Sequence, residues 1–267
     1  MIGIKIIAMN FKNLRNFKKS LLIVSALFYG FASINATSHS THSPNRALSL
    51  ADTSILTKKE IAQGWEVLFD GKNTSKWRGM TSEKFPDGWK IENGTISLEN
   101  KQADAIMTRE KFSNFDLIFD FNLTLGSNSG IKYFVGELKD KRNGSKVING
   151  PEYQIIDDYN HPEVKNHIHD EGATAAAYLI YAAQNKKLNP AGQWNQGRIV
   201  ARGNHIEHWL NGIKVVSYER GSKDYVDKIA LTKFKDYYGY GEATTGNILI
   251  TSHDDKVYFR NIKIRRL

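Results

Sequence analysis

Between Phe115 and Leu123 apolar and polar residues alternate. Phe115, Leu117, Phe119, Phe121 and Leu123 fall on one side of an extended chain, and Asp116, Ile118, Asp120 and Asn122 on the other. A period of two with one fully apolar face is the pattern of an antiparallel strand that covers a core on one side. Shorter runs bounded by Gly, Asn and Asp predict further strands over residues 65–69, 89–91, 95–98, 130–135, 176–182, 198–201, 205–210, 213–218, 247–251 and 256–264. Asn93-Gly94 and Asn211-Gly212 supply hairpin turns, because both central positions of such a turn need positive φ. Helical signals are few. Thr57 with Glu60 three residues later has capping-box spacing and predicts one short helix over 56–63. Tyr225, Ile229 and Phe234 mark a second within 222–234. About a dozen short strands with almost no helix predict an all-β fold, a two-sheet antiparallel β-sandwich of jelly-roll type. A curved sandwich of this size offers a concave face suited to sugars.

The first thirty-six residues stand outside this pattern. Lys12, Arg15, Lys18 and Lys19 precede an apolar run over 21–32, followed by the small residues Ser33 and Ala36. That order predicts a secretory signal peptide over 1–36, and the run is too short for a membrane span of about 20 residues. The Ser-, Thr- and Asn-rich stretch 37–55 reads as a flexible linker, leaving 56–267 for the sandwich. The 37 Lys and Arg outweigh the 28 Asp and Glu to give +9; five of those basic residues and no acidic ones lie in 1–36, so the mature part carries +4. A charge that small, without a basic stripe, argues against a nucleic-acid partner. There is no cysteine, hence no disulfide and no lipoprotein anchor. The expectation is a protein exported to the periplasm or beyond, with no stable membrane span after processing.

The stretch with most chemistry is GPEYQIIDDYN, residues 150–160. On a strand Glu152 and Gln154 share one face and Tyr153 and Ile155 the other. A carboxylate beside a carboxamide within a β-rich fold fits either the floor of a wet cleft or a solvated strand face. Asp157 and Asp158 fall where the strand ends. Trp77 and Trp194 are open to two readings, sugar-stacking platform or core residue. His161, His167, His169 and the acids among them lack the spacing of a zinc motif and read as a solvated loop. Neither a phosphate loop nor a dinucleotide fingerprint is present, so no organic cofactor is expected.

Six segments occur in an order that resembles one known family. They are GWEVLFDGKNTSKWRG (64–79), the hairpin after Trp89, SNSGIKYF (127–134), GPEYQIIDD (150–158), GQWNQGRIVARGNHIEHWLNGIKV (192–215) and KVYFRNIKIRRL (256–267). Together they look like the 3-keto-disaccharide hydrolase domain, built on the concanavalin A-like lectin/glucanase sandwich. The resemblance implies cleavage of glycosides already oxidised to a ketone at sugar carbon 3. The ketone acidifies the hydrogen on carbon 2, a base removes it, the enolate expels the group on carbon 1, and water adds. Such a route needs a base, a group to hold the enolate oxygen and an acid for the leaving group. The resemblance also implies a divalent cation (Ca, Mg or Mn) in some members, as Lewis acid on the keto oxygen.

Carried onto this chain, the resemblance gives Glu152 either proton transfer or metal ligation, with Gln154 holding a hydroxyl. Asp157 becomes a sugar-binding group or a second metal ligand beside Glu152, although strand parity sets these two on opposite faces. His253 falls where the family usually reads Leu-Gln-Asp-His-Gly; here the segment is Ile-Thr-Ser-His-Asp, residues 250–254, and the histidine alone remains. It is a proton shuttle or a surface histidine. Arg260, sharing a face with Tyr258, would clamp an oxygen or form a structural ion pair. Asn128 would offer its amide to substrate, as would Trp194 its ring. The expected partner is a glycoside or disaccharide. Two other functions are open to the same fold: a carbohydrate-binding sandwich without catalysis, and then a conventional glucanase, which needs a second carboxylate on the Glu152 face that strand parity does not offer.

Overall fold

The computed structural model describes residues 55–267. The expected signal peptide and all but the last residue of the expected linker lie outside them. Helix α1 (Lys58–Ala62) leads into strands β1 (Trp65–Phe69), β2 (Trp77–Gly79), β3 (Trp89–Glu92), β4 (Thr95–Leu98) and β5 (Ile106–Thr108). Then come β6 (Phe115–Leu123), β7 (Asn128–Asp140), β8 (Lys146–Asn149), β9 (Glu152–Ile156), β10 (Trp194–Arg202), β11 (His205–Leu210) and β12 (Ile213–Glu219). Helix α2 (Lys223–Ala230) and a 3-10 turn (Lys233–Asp236) precede β13 (Tyr237–Tyr238), β14 (Asn247–Ile250) and β15 (Val257–Arg266). Among the described residues no helix is long and apolar enough to cross a membrane.

The strands form two antiparallel sheets. One has the order β12-β11-β10-β6-β15-β4-β3, with β1 also on β15; the other runs β13-β7-β14-β5-β2, with β8 and β9 on β7. The alternation along β6 is realised, with Phe115, Leu117, Phe119, Phe121 and Leu123 all in the core between the sheets. Its polar side is not simply wet. Asp116 is buried beneath Arg198, whose two nitrogens reach it at 2.7 and 2.8 Å, and Arg265 at 2.9 Å. These charge-assisted bonds tie β10 and β15 across β6. The capping box forms: Glu60 N donates to Thr57 Oγ1 while Thr57 N donates to Glu60. Glu60 also bonds Lys263 of β15, and that contact pulls its carboxyl down to about 2.

Two expectations need correction. Residues 176–182 are not a strand. Ala175 and Leu179 take left-handed φ of 69° and 62°, and the chain doubles back so that Ala177 N donates to Tyr181 O. The segment instead covers the open edge of β9, exchanging bonds between Gln154 and both Ala175 and Ala176, and from Tyr178 N to Glu152 O. An uncovered edge strand is a template for unwanted pairing, and this loop closes it. Strand β7 is also longer than its pattern predicts. Phe134, at φ 52°, inserts a bulge where the register against β14 shifts, so apolar residues on both sides of it break the period of two.

One buried polar chain ties the loop after β9 to the core. His208 is fully enclosed, with Nδ1 3.0 Å from Ala175 O and Nε2 2.9 Å from the Tyr133 hydroxyl. A carbonyl only accepts, so Nδ1 carries the proton and Tyr133 donates to Nε2. Tyr218 then donates to Tyr133 at 2.7 Å. Burial pushes the imidazole down to about 4, against its ordinary 6.5. Between those values the unfolded chain binds a proton that the folded chain refuses, so stability falls as pH drops. From pH 7 to pH 5 the wild type should therefore lose about 2 kcal/mol more than His208→Gln in urea denaturation; equal losses would contradict this.

Candidate active site

The site grows from the register of β7 on β9. Gly130 pairs with Gln154, Ile131 with Tyr153 and Lys132 with Glu152. Ile131, Tyr133, Tyr153 and Ile155 point into the core, which leaves Asn128, Gly130, Lys132, Glu152 and Gln154 on the opposite face. A cavity of about 230 Å³ lies over that face, closed by Asn149, Tyr178, Lys233, Phe234, Tyr237 and His253. Of the residues expected to act, Asn128, Glu152, Gln154 and His253 are brought together.

Glu152 lies on the floor and is 5 % exposed. Its Oε2 is 3.8 Å from Lys132 Nζ, which donates to Asn149 Oδ1 at 2.9 Å. Among the described residues its Oε1 has no partner, and neither has Asn128 Oδ1. A buried acceptor left unpaired costs about 1–3 kcal/mol, so two of them in one cavity mark acceptors kept for a ligand. Gly130 makes the room: a Cβ there would sit 2.1 Å from Glu152 Oε1. The Gln154 carboxamide makes no hydrogen bond among the described residues.

His253 stands at the mouth with its side chain exposed. The protein packed around it still lowers its imidazole below the usual 6.5; Lys132 and Lys233 push the same way, against Glu152 and Asp255. It is neutral at pH 7. Tyr178 is raised, first by burial and then by Glu152 and Glu163, so its phenol stays protonated. Lys233 Nζ lies 5.1 Å over the Tyr178 ring.

Three expected residues sit elsewhere. Arg260 is on β15, in the other sheet, with its guanidinium 3.8 Å from the Trp194 ring and 3.4 Å from Asp120. Strand parity identifies a face, not the sheet to which the face belongs. Arg260 takes the structural ion pair, and Trp194 carries that arginine rather than lining the cavity. Asp157 is used up by its own loop: Oδ1 accepts from Tyr159 N, and Oδ2 from Gly126 N and Asn160 Nδ2. It does not meet Glu152, and among the described residues no three His, Cys, Asp or Glu are grouped to hold a metal. The Glu152–Asp157 pair therefore does not fit a divalent cation. Trp77 is a core residue whose Nε1 donates to Leu68 O at 2.8 Å.

Lys132, Tyr178, Lys233 and Tyr237 were not foreseen. Lys132 had a signal, since it lies four residues beyond Asn128 on the same strand face. Tyr178 comes from a loop, Lys233 from the 3-10 turn and Tyr237 from the two-residue β13, short segments that tertiary packing places.

A model of the 3-keto-alpha-glucoside-1,2-lyase-like domain matches residues 64–265. The chain belongs to this family. It is 30 % identical over 247 residues to a 3-keto-disaccharide hydrolase of Bacteroides thetaiotaomicron, covering 84 % of this chain and 85 % of that one. A crystal structure of a candidate glycosyl hydrolase from Parabacteroides distasonis superposes with a TM-score of 0.70 at 32 % identity, covering 79 % of this chain and 98 % of the other. A second from the same organism gives 0.56 at 25 % identity, with 76 % and 99 % covered. These likenesses agree with the sandwich expected from the sequence.

The packing at Gly130 makes a direct prediction for this family member. In a crystal structure of Gly130→Ala the Glu152 carboxylate should turn off the floor while β7 and β9 keep their register. An unmoved carboxylate would contradict the proposed role of this glycine.

Proposed function

We propose that the protein cleaves 3-keto-glycosides by elimination and hydration, with Glu152 as the base. The observation that carries this reading is Glu152 Oε1, a buried carboxylate oxygen without a partner among the described residues, on the floor of a cavity lined by the cations Lys132 and Lys233. In the reaction Glu152 takes the proton from carbon 2. Lys132 and Lys233 hold the negative charge that develops on the carbon 3 oxygen, in place of Arg260, which stands in the other sheet. The bond from carbon 1 to the leaving oxygen breaks, and Tyr178, kept protonated by burial, supplies that oxygen with a proton.

Hydration runs back over the same groups. His253, neutral at rest, takes a proton from water as the oxygen bonds to carbon 1, and protonated Glu152 returns its proton to carbon 2. The proton on His253 then restores Tyr178. Atoms balance as glycoside plus water giving free keto sugar plus alcohol. Asn128 Oδ1 and the Gln154 carboxamide hold sugar hydroxyls. With residues 1–36 acting as an export signal, the reaction takes place outside the cytoplasm.

The mature protein should release the aglycone from a 3-keto-glucoside and leave the unoxidised glucoside intact. Glu152→Gln should lower kcat/KM by about a hundredfold or more, and Arg260→Ala should leave it unchanged. Cleavage of the unoxidised sugar, or full activity in Glu152→Gln, would overturn the mechanism; binding without turnover would make the protein a carbohydrate-binding sandwich. Because neutral imidazole is the working form of His253, kcat/KM should hold as pH falls to 6.5 and decline below it. A decline centred above pH 6.5 would contradict that assignment.

A further inference from the structure

A second cavity, of about 430 Å³, lies beside the catalytic one, and Phe234 and Tyr237 line both. One wall is α2, which contributes Val226 and Ile229; another is Phe234 stacked on Tyr240, with ring centres 4.1 Å apart and planes 5° from parallel. Such walls suit a flat or chain-like apolar group.

The polar part of the wall is Arg220, which is 4 % exposed. Its Nη1 donates to Ala243 O at 2.5 Å and its Nη2 to Gly203 O at 3.3 Å, and the guanidinium carbon lies 4.1 Å from the Phe134 ring centre. Among the described residues its Nε–H has no partner and no carboxylate pairs with the guanidinium. A guanidinium taken out of water without a counter-ion is costly unless something else supplies the negative charge. The Tyr225 hydroxyl, on the same wall, is a second buried donor without a partner among the described residues. It packs over Gly241, where a Cβ would sit 2.1 Å from it. Lys141 and Lys235 add positive charge against Glu242 alone.

We propose that this cavity is a second ligand site, for a small organic anion. A carboxylate is drawn by Arg220 and Tyr225, and its apolar ring or chain lies between α2 and the Phe234–Tyr240 stack. A planar fork with unspent donors is the side chain suited to a carboxylate. The anion has two sources, a carboxylate-bearing leaving group of the substrate or a separate free acid. In either case it presses on the segment whose other side lines the catalytic cavity.

Calorimetric titration with benzoate tests the site without turnover, so its outcome is independent of the proposed reaction. Benzoate should bind the wild type, and neutral benzyl alcohol should bind roughly tenfold more weakly or worse. Arg220→Gln should weaken benzoate by a similar factor. Because Arg220 is buried, a second variant, Ala230→Trp, fills the cavity from the exposed rim of α2 and should also abolish binding. If benzoate raises KM for the 3-keto-glucoside without changing kcat, the site seats the leaving group; if it leaves KM unchanged, the ligand is a separate acid. No benzoate binding to the wild type, or equal binding to both folded variants, would overturn the proposal.

Discussion

The structure depends on the pairing of β7 with β9 in a single register. Because side chains alternate across a strand, this pairing decides at once which residues fill the core and which form the site. Tyr133 and Tyr153 go inward and Lys132 and Glu152 outward, so a slip of one residue would bury the carboxylate and expose the aromatics. The register is held from both sides. Inside, Tyr133 joins the His208 chain and Tyr153 packs edge-on against Phe119 at 5.3 Å. Outside, the 173–178 loop bonds the free edge of β9. Gly130 completes the arrangement, since any side chain there would occupy the space of the carboxylate.

The site is also where the fold gives up stability. Glu152 Oε1 and Asn128 Oδ1 are buried without partners among the described residues, and the cations Lys132 and Lys233 are gathered over one small cavity. Elsewhere comparable charges are spent on structure. Asp116 is saturated by two arginines, Asp157 by its own turn, and Asp158 by Lys186 at 2.5 Å. Acceptor oxygens left unpaired beside cations separate a binding cavity from a saturated ion-pair network. By the same standard, the unpartnered donors of Arg220 and Tyr225 single out the second cavity.

What the sequence disclosed was whatever is encoded locally. The alternation along Phe115–Leu123, the turns at Asn93-Gly94 and Asn211-Gly212, and the Thr57–Glu60 box each follow from neighbouring residues alone, and each forms. The shared face of Glu152 and Gln154 was legible for the same reason. The alanine-rich run at 175–177 has the apolar character of a strand, but left-handed Ala175 and Leu179 fold it into an edge cover. Arg260 was misplaced because parity does not say which sheet a strand joins. Lys233, Phe234 and Tyr237 reach the site from the 3-10 turn after α2 and from the short strand β13, an arrangement fixed by packing that no periodicity records.

The central claim is that the bond from carbon 2 to hydrogen breaks before the glycosidic bond. Single-turnover release of the aglycone from a 3-keto-glucoside deuterated at carbon 2 tests it most directly. The account predicts slower release than from the protiated sugar, with the reaction starting at the Glu152 carboxylate. Equal rates for the two sugars, with the aglycone released in both, would mean that water displaces the leaving group directly and that Glu152 has another role.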